Sequence, residues 1–349
     1  MSRTLSRRTF LGYSLGMASA SIWLQAAGSV RQTTDSVIAV NGPLRPSQLG
    51  VTLVHEHVMV DFIGAAEINS DRYKEDEVFN TVLPHLQSLR RLGCETLVEC
   101  TPAFLGRNVR LLQRLSRSSG ICILTNTGLY GAGNHKYLPG YAQAETAEQL
   151  AIRWIDEWRN GIDGTTIKPG FIKSGVDNGP LSDMQRKLVE AAGLTHLQTG
   201  LPVGIHTGNG TAALEEAGVL KETGVPLDAF IWIHAQNEKD LSFHERLAHA
   251  GAWISFDGIS KTAANDYLAM LKHMKQHSLM DNVLISQDAG WYHVGEPGGG
   301  KFRDYNYLFT GFLPLLRQNG FTEAEIKRMM VENPARAFTI RKPPSLRLK

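Results

Sequence analysis

From residue 51 onward the sequence deals out one unit eight times: a short apolar, β-branched run that ends in a polar cluster, then a longer stretch with helical spacing. The runs occupy residues 51–57, 95–100, 121–127, 171–174, 203–207, 230–235, 253–257 and 283–288, and their starts are 23 to 50 residues apart. Every gap can hold a helix and two loops. Strands joined by such crossovers pair in parallel, because a tight turn joins only antiparallel neighbours. Eight consecutive units close a sheet on itself. The expectation is therefore an α/β fold, a (β/α)8 TIM barrel built as a single domain over residues 35–349. The competing arrangement is an open doubly wound sheet. Two helices carry readable ends. Ser182 or Asp183 can cap a helix over 181–199 that stops at Gly200, and Thr322 with Glu325 has capping-box spacing.

Barrels of this kind place chemistry at the C-terminal ends of the strands. Run one ends in His55-Glu56-His57, and residues two apart on a strand share a face, so both histidines point into the barrel mouth and Glu56 points away. The helical zinc-protease motif is excluded, since it needs a histidine where this chain has Met59. Run four contains Lys173, a cation that is costly to bury as an ammonium. Runs five, six and eight end in His206, His234 and Asp288. The chain has 12 histidines, so one or two at strand ends would mean little. Four at three strand ends, with a lysine and an aspartate at two more, form a constellation. Asp257, at the end of run seven, is a candidate partner behind the ligands, and His293 is near enough to the end of run eight to reach the pocket. The other histidines read as core or surface residues.

The N-terminus reads as an address. Ser6-Arg7-Arg8-Thr9-Phe10-Leu11 precedes a mildly apolar stretch rich in Gly, Ala and Ser, the pattern of a twin-arginine signal peptide over residues 1–34. Export to the periplasm or the extracellular space is the expected localisation. The stretch is too short and too weakly apolar for a stable membrane anchor. Removing Arg3, Arg7 and Arg8 with no acid takes the 36 basic residues to 33 against 34 acidic ones, a mature charge of about −1. That balance gives no electrostatic footprint for nucleic acid. Cys94, Cys100 and Cys122 are odd in number and lie in or beside apolar runs, as buried thiols do.

The order His-x-His, Lys, His, His, Asp on strands one, four, five, six and eight resembles the phosphotriesterase family of the amidohydrolase superfamily. Further matching pieces are Gly106-Arg107-Asn108, Gly170-Phe171-Ile172-Lys173, Pro202 to Thr207, and Glu332-Asn333-Pro334-Ala335-Arg336. The resemblance covers most of residues 45–338. It implies that His55, His57 and Asp288 hold one metal ion and that His206 and His234 hold a second. It implies further that Lys173 bridges the two as a carbamate formed with carbon dioxide. Two divalent ions are expected, zinc first, with manganese, cobalt or iron able to use the same ligands. The implied enzyme is a binuclear metal-dependent hydrolase in which a metal-bridging hydroxide attacks an ester, lactone, amide or phosphotriester centre and Asp288 takes the proton. The family also suggests a homodimer.

The loops speak to a small-molecule substrate. Thr127-Gly128-Leu129-Tyr130 resembles the lactonase-like branch, in which a tyrosine at this place touches the substrate. Trp291 and His293 are further substrate-side candidates, and the run around Gly298-Gly299-Gly300 reads as a lid. It matches part of a phosphate loop but has Phe302 where that motif needs Ser or Thr. Gly258 after Asp257 departs from the arginine common in the lactonase branch. Carboxyl ester, lactone or amide hydrolysis ranks ahead of phosphotriester hydrolysis. The alternatives are a true organophosphate triesterase, an exported metal- or ligand-binding barrel without turnover, and a metal-free glycosidase using Glu99 and Asp288 as its carboxylate pair.

Overall fold

The eight apolar runs become eight parallel strands: β1 (Thr52–Val60), β2 (Thr96–Glu99), β3 (Cys122–Leu124, continued by Asn126–Thr127), β4 (Phe171–Gly175), β5 (Val203–His206), β6 (Phe230–Ile233), β7 (Trp253–Phe256) and β8 (Val283–Ile285). A computed structural model describes residues 35–341; the leader expected at residues 1–34 lies outside the described residues. Pairing runs in sequence order, from Leu53 opposite Leu97 through Lys173 opposite Gly204 to Phe256 opposite Ile285. The ring closes between β8 and β1, where the Asp288 amide donates to the His55 carbonyl at 3.1 Å and the His57 amide donates to the Ala289 carbonyl at 2.9 Å. That closure excludes the open doubly wound sheet.

Alternation sorts the strand residues between two cores. Val54, Val98, Leu124, Phe171, Ile231, Ile233, Trp253 and Leu284 fill the barrel interior, while Leu53, Leu97, Ile172, Val203, Ile205, Trp232, Phe256 and Ile285 pack outward beneath the helices. The helices that follow the strands are α1 (Glu75–Arg91), α2 (Val109–Ser119), α3 (Ala147–Asn160), α4 (Asp183–Thr199), α5 (Gly210–Thr223), α6 (Ser242–His249), α7 (Ala264–Gln276) and α8 (Leu313–Gln318). Ser182 caps α4 in a capping box with Gln185, and Gly200 ends it in the left-handed region at φ 76°. Thr322 and Glu325 also form a capping box, but that helix is α-helical only over Glu323–Lys327 before it widens into a π-turn. No helix among the described residues is long and apolar enough to cross a membrane.

Three features go beyond the sequence reading. A hairpin of Val37–Ala39 and Gly42–Leu44 packs with the interior residues of the barrel. Strand β1 runs three residues past His57, because a ninth strand, β9 (Gly290–His293), lies parallel beside it with Gly290 opposite His57 and His293 opposite Val60. The segment after Glu332 is anchored by Asn333, whose buried amide donates to the carbonyls of Met280 and Val283 at 2.8 and 2.7 Å, fixing the entry to β8.

Candidate metal centre

His55, His57, Lys173, His206, His234 and Asp288 line one cavity of about 290 Å³ at the C-terminal mouth of the barrel. Each is delivered by a strand end. A one-residue register shift between Leu53 and Glu56 lets Val54 face the interior and still leaves both His55 and His57 on the cavity side. Lys173 sits in the middle of β4, His206 ends β5, and His234 and Asp288 lie just beyond β6 and β8. His234 and Asp288 both take the left-handed region, at φ 62° and 52°, a conformation that costs about 1–3 kcal/mol for a residue with a side chain and is held only by its surroundings. Here the His234 amide donates to Asp257 Oδ2 at 3.1 Å, and the Asp288 carbonyl accepts from Trp291 Nε1 at 2.7 Å and Arg303 Nη1 at 3.2 Å.

Three ligand atoms converge. His55 Nε2 and His57 Nε2 are 3.2 Å apart, and Asp288 Oδ1 is 3.6 Å from the first and 3.2 Å from the second. Two imidazole lone pairs cannot face each other at that distance without a proton or a cation between them. Tetrahedral ligands about 2.0–2.2 Å from zinc are separated by roughly 3.3 Å, so this triangle has the size of a coordination face. Asp288 Oδ1 is buried without a hydrogen-bond partner, the condition expected of a group whose partner is an ion. The residues therefore fit a metal ion.

The shell behind the ligands sets their tautomers. His57 Nδ1 is 2.8 Å from Thr101 Oγ1, and that hydroxyl donates to Glu99 Oε1 at 2.5 Å, so it accepts the Nδ1 proton and leaves the Nε2 lone pair facing the cavity. Asp257 Oδ1 is 2.6 Å from His234 Nδ1, which leaves Nε2 as that ring's free nitrogen. The other Asp257 oxygen is 3.5 Å from His55 Nδ1, too long for a good hydrogen bond. Burial would raise the Asp257 carboxyl, but His234 and His55 outweigh it and hold the group well below the usual carboxylate range. His234 is the counterpart: burial would lower it, and Asp257 holds it above its ordinary value. Burial lowers His57 to about 4, which keeps it a neutral donor of electron pairs.

Lys173 is buried, with Nζ 3.1 Å from the Ser174 carbonyl and 5.3 Å from the centre of the Tyr130 ring. It meets no carboxylate at ion-pair distance among the described residues, and burial lowers its pKa. Gly128 makes this packing possible. Its φ is 121°, and a Cβ there would stand 2.2 Å from the Lys173 carbonyl.

Of the substrate-side candidates, Tyr130 and Trp291 line the cavity together with Phe62, Leu105 and Tyr137. His293 does not line it. Its ring lies 5.8 Å from that of Phe62 and 6.2 Å from that of Trp291, which do line the cavity. Three acids, Glu56 and Glu99 buried and Glu157 partly exposed, carry roles that alternation alone could not reveal. Glu56 points away from the cavity as expected, yet it is buried and accepts from Ser286 Oγ, the Gln287 amide and the Ala289 amide at 2.7, 3.0 and 2.6 Å, clamping the turn that carries Asp288. Burial pushes its carboxyl up to about 8. Glu99 stands behind Thr101, and burial pushes it up to about 7. Glu157 holds buried Arg107 through two hydrogen bonds of 2.9 and 2.6 Å. Glu99 is not placed as a glycosidase acid, because it faces the backs of the ligands and does not line the cavity. Cys94 and Cys100 are buried free thiols and Cys122 is partly buried. A larger cavity of about 660 Å³, lined by His196, Leu197, Asp228 and Arg336 among others, contains none of the six converging residues.

Comparison with known proteins adds four findings. The family model described as Phosphotriesterase family matches residues 35–338. The chain is 31% identical over 296 residues to a phosphotriesterase homology protein of Escherichia coli (strain K12), covering 83% of this chain and 98% of that one. It is 27% identical over 350 residues to the N-acetyltaurine hydrolase of Rattus norvegicus, covering 87% of this chain and 98% of the relative. The fold superposes with a TM-score of 0.79 on a solved variant of a PTE-like lactonase from Deinococcus radiodurans, at 27% identity over 86% of this chain and 99% of that one.

Proposed function

The chain belongs to the phosphotriesterase family, and from that premise we propose that it is a binuclear metal-dependent hydrolase of small carboxyl-centred substrates: lactones, esters or amides. The observation that carries this reading is the triangle of His55 Nε2, His57 Nε2 and Asp288 Oδ1, with the Asp288 oxygen buried and unpartnered. His55, His57 and Asp288 would hold one ion, His206 and His234 a second, and Lys173, as its carbamate, would join the two. Carbamate formation makes one N–C bond between the neutral amine and carbon dioxide and releases one proton, so it removes the burial cost of an ammonium. Zinc fits the ligand set first, with manganese, cobalt or iron as substitutes. Bound ions would supply Lewis acidity, polarising the scissile carbonyl and bringing the pKa of water down toward neutrality.

The chain's own residues do the rest. Asp288, through the carboxylate oxygen that does not face the His55–His57 pair, takes the proton of the attacking water. Asp257 holds His234 in one tautomer, and the Thr101–Glu99 pair does the same for His57. Phe62, Tyr130, Tyr137 and Trp291 form an aromatic wall that excludes water and seats an apolar substituent. The names of the lactonase and the N-acetyltaurine hydrolase favour the carbonyl class, while that of an aryldialkylphosphatase relative favours phosphorus.

The test is a screen of metal-reconstituted protein against lactones, N-acyl amino acids, aryl esters and phosphotriesters. One carbonyl class should exceed the phosphotriesters in kcat/KM at least tenfold. Preference for phosphotriesters would favour the triesterase reading, and two bound ions with no turnover on any class would favour a binding protein. Residues 1–34 are proposed to be a twin-arginine leader that sends the folded, metal-loaded protein out of the cytoplasm. A reporter fused to them should be exported, and replacing Arg7 and Arg8 with lysine should stop it.

A further inference from the structure

On the outer wall of the barrel, Glu245 of α6 faces two histidines at the end of α7. Its Oε1 is 2.8 Å from His273 Nε2 and 3.7 Å from His277 Nε2. His273 and His277 are one helical turn apart, and their ring centroids are 4.2 Å apart. His277 Nδ1 donates to the His273 carbonyl at 2.9 Å. That bond puts the ring's lone pair on Nε2, so in the neutral ring an acceptor nitrogen faces an acceptor carboxylate. Such a contact is repulsive unless a proton or a metal ion stands there. Donation of the second ring N–H to a backbone carbonyl is also the support that metal-ligating histidines characteristically have.

We propose that Glu245, His273 and His277 form a separate binding site for a divalent transition metal ion that ties α6 to α7. One ligand atom from each residue lies within 4.8 Å of the other two, so small side-chain rotations bring all three onto one ion. Two imidazoles and a carboxylate are a ligand set for zinc, copper or nickel, and exclude a hard oxygen-seeking ion such as magnesium. The negative end of the α7 dipole favours a cation at this turn. The neighbouring cations are engaged elsewhere: Lys272 donates to Asn319, and Lys275 to Glu325 and the Gly320 carbonyl. The α7 terminus leads through Met280–Asn282 into the start of β8, so the site belongs to the end of the barrel opposite the cavity mouth. An ion bound there stabilises the native state by mass action and takes no part in turnover.

The experiment is a zinc titration of the metal-loaded enzyme by calorimetry, run beside His277→Ala and Glu245→Gln. The wild type should bind one ion more than either variant, and its Tm should rise with added zinc where theirs do not. All three should keep the same kcat/KM. Copper added in place of zinc should give, in the wild type, an electron paramagnetic resonance signal split by two imidazole nitrogens that His277→Ala abolishes. Equal stoichiometry in the wild type and both variants, or a Tm rise that survives both substitutions, would overturn the proposal. Neither result depends on which substrate the barrel centre cleaves.

Discussion

Asp257 Oδ1 stands 2.6 Å from His234 Nδ1, and the second oxygen of the same carboxylate accepts the His234 backbone amide at 3.1 Å and the Ser255 hydroxyl at 2.8 Å. One buried carboxylate thus fixes both the ring and the backbone of a residue held at positive φ. Losing a partner of this kind costs a metal ligand about 10- to 100-fold in affinity or activity. Asp257→Asn keeps the shape and removes the charge. It should retain the fold, lower kcat within that range, and shed metal sooner during dialysis. Unchanged metal content and kcat would remove Asp257 from the mechanism.

Lys173 makes a sharper case because no carboxylate among the described residues stands at ion-pair distance from it. Its side chain is buried and its pKa is lowered by burial, which raises the fraction of neutral amine able to take up carbon dioxide. Lys173→Ala should lose activity by at least about a thousandfold, and bound metal with it. A short carboxylic acid such as propionate should restore part of both by entering the space the side chain leaves. Assays of purified variant with and without propionate, alongside metal analysis, decide the matter. Full activity of metal-free Lys173→Ala protein would rule the mechanism out.

Gly128 links the stability of the barrel to the placement of Lys173. At φ 121° it occupies backbone space that other residues rarely enter, and an added Cβ would lie 2.2 Å from the Lys173 carbonyl, 3.0 Å from its carbon and 3.2 Å from its nitrogen. Those atoms belong to a central strand and cannot swing aside. Gly128→Ala should cost at least about 2 kcal/mol from backbone strain alone, seen as a lower urea midpoint, and should reduce activity through displacement of β4. A midpoint equal to that of the wild type would mean that the β3–β4 contact is softer than its geometry implies.

The sequence disclosed what strand periodicity can disclose. Each of the eight strands lies within one residue of its apolar run at the start, and His55, His57, Lys173, His206, His234 and Asp288 meet because alternation and the strand ends dictate it. What stands behind a strand is a different matter. Glu56 and Glu99 are carboxylates in apolar runs, and nothing local says that the partners of one lie on the turn from Ser286 to Ala289, some 230 residues away. Strand β9 was hidden for a related reason: its partner is the overhang of β1, so the position of His293 follows from a contact that does not exist until the barrel closes. The hairpin at 37–44 turns through Val40 and Asn41, so the Asn41-Gly42 dipeptide stands one residue out of register with the turn and could not have located it.

His196 permits a test of the fold independent of the metal ions. It is buried on α4, with Nδ1 2.8 Å from the Leu201 carbonyl, and burial holds its pKa below the ordinary histidine value of 6.5. Between the folded value and 6.5 the unfolded chain binds a proton that the folded chain refuses. The associated stability is therefore fully present above the unfolded value and is lost as the pH falls through the folded one. His85 and His244 are lowered by burial as well and act with the same sign, so the wild-type urea midpoint alone cannot isolate His196. His196→Gln removes only its share. The midpoint of the variant should fall less steeply than that of the wild type as the pH drops from 7 toward 5, and the gap between the two should be constant above neutrality. Parallel slopes across the whole range would show that His196 takes up its proton in the folded protein as readily as in the unfolded chain.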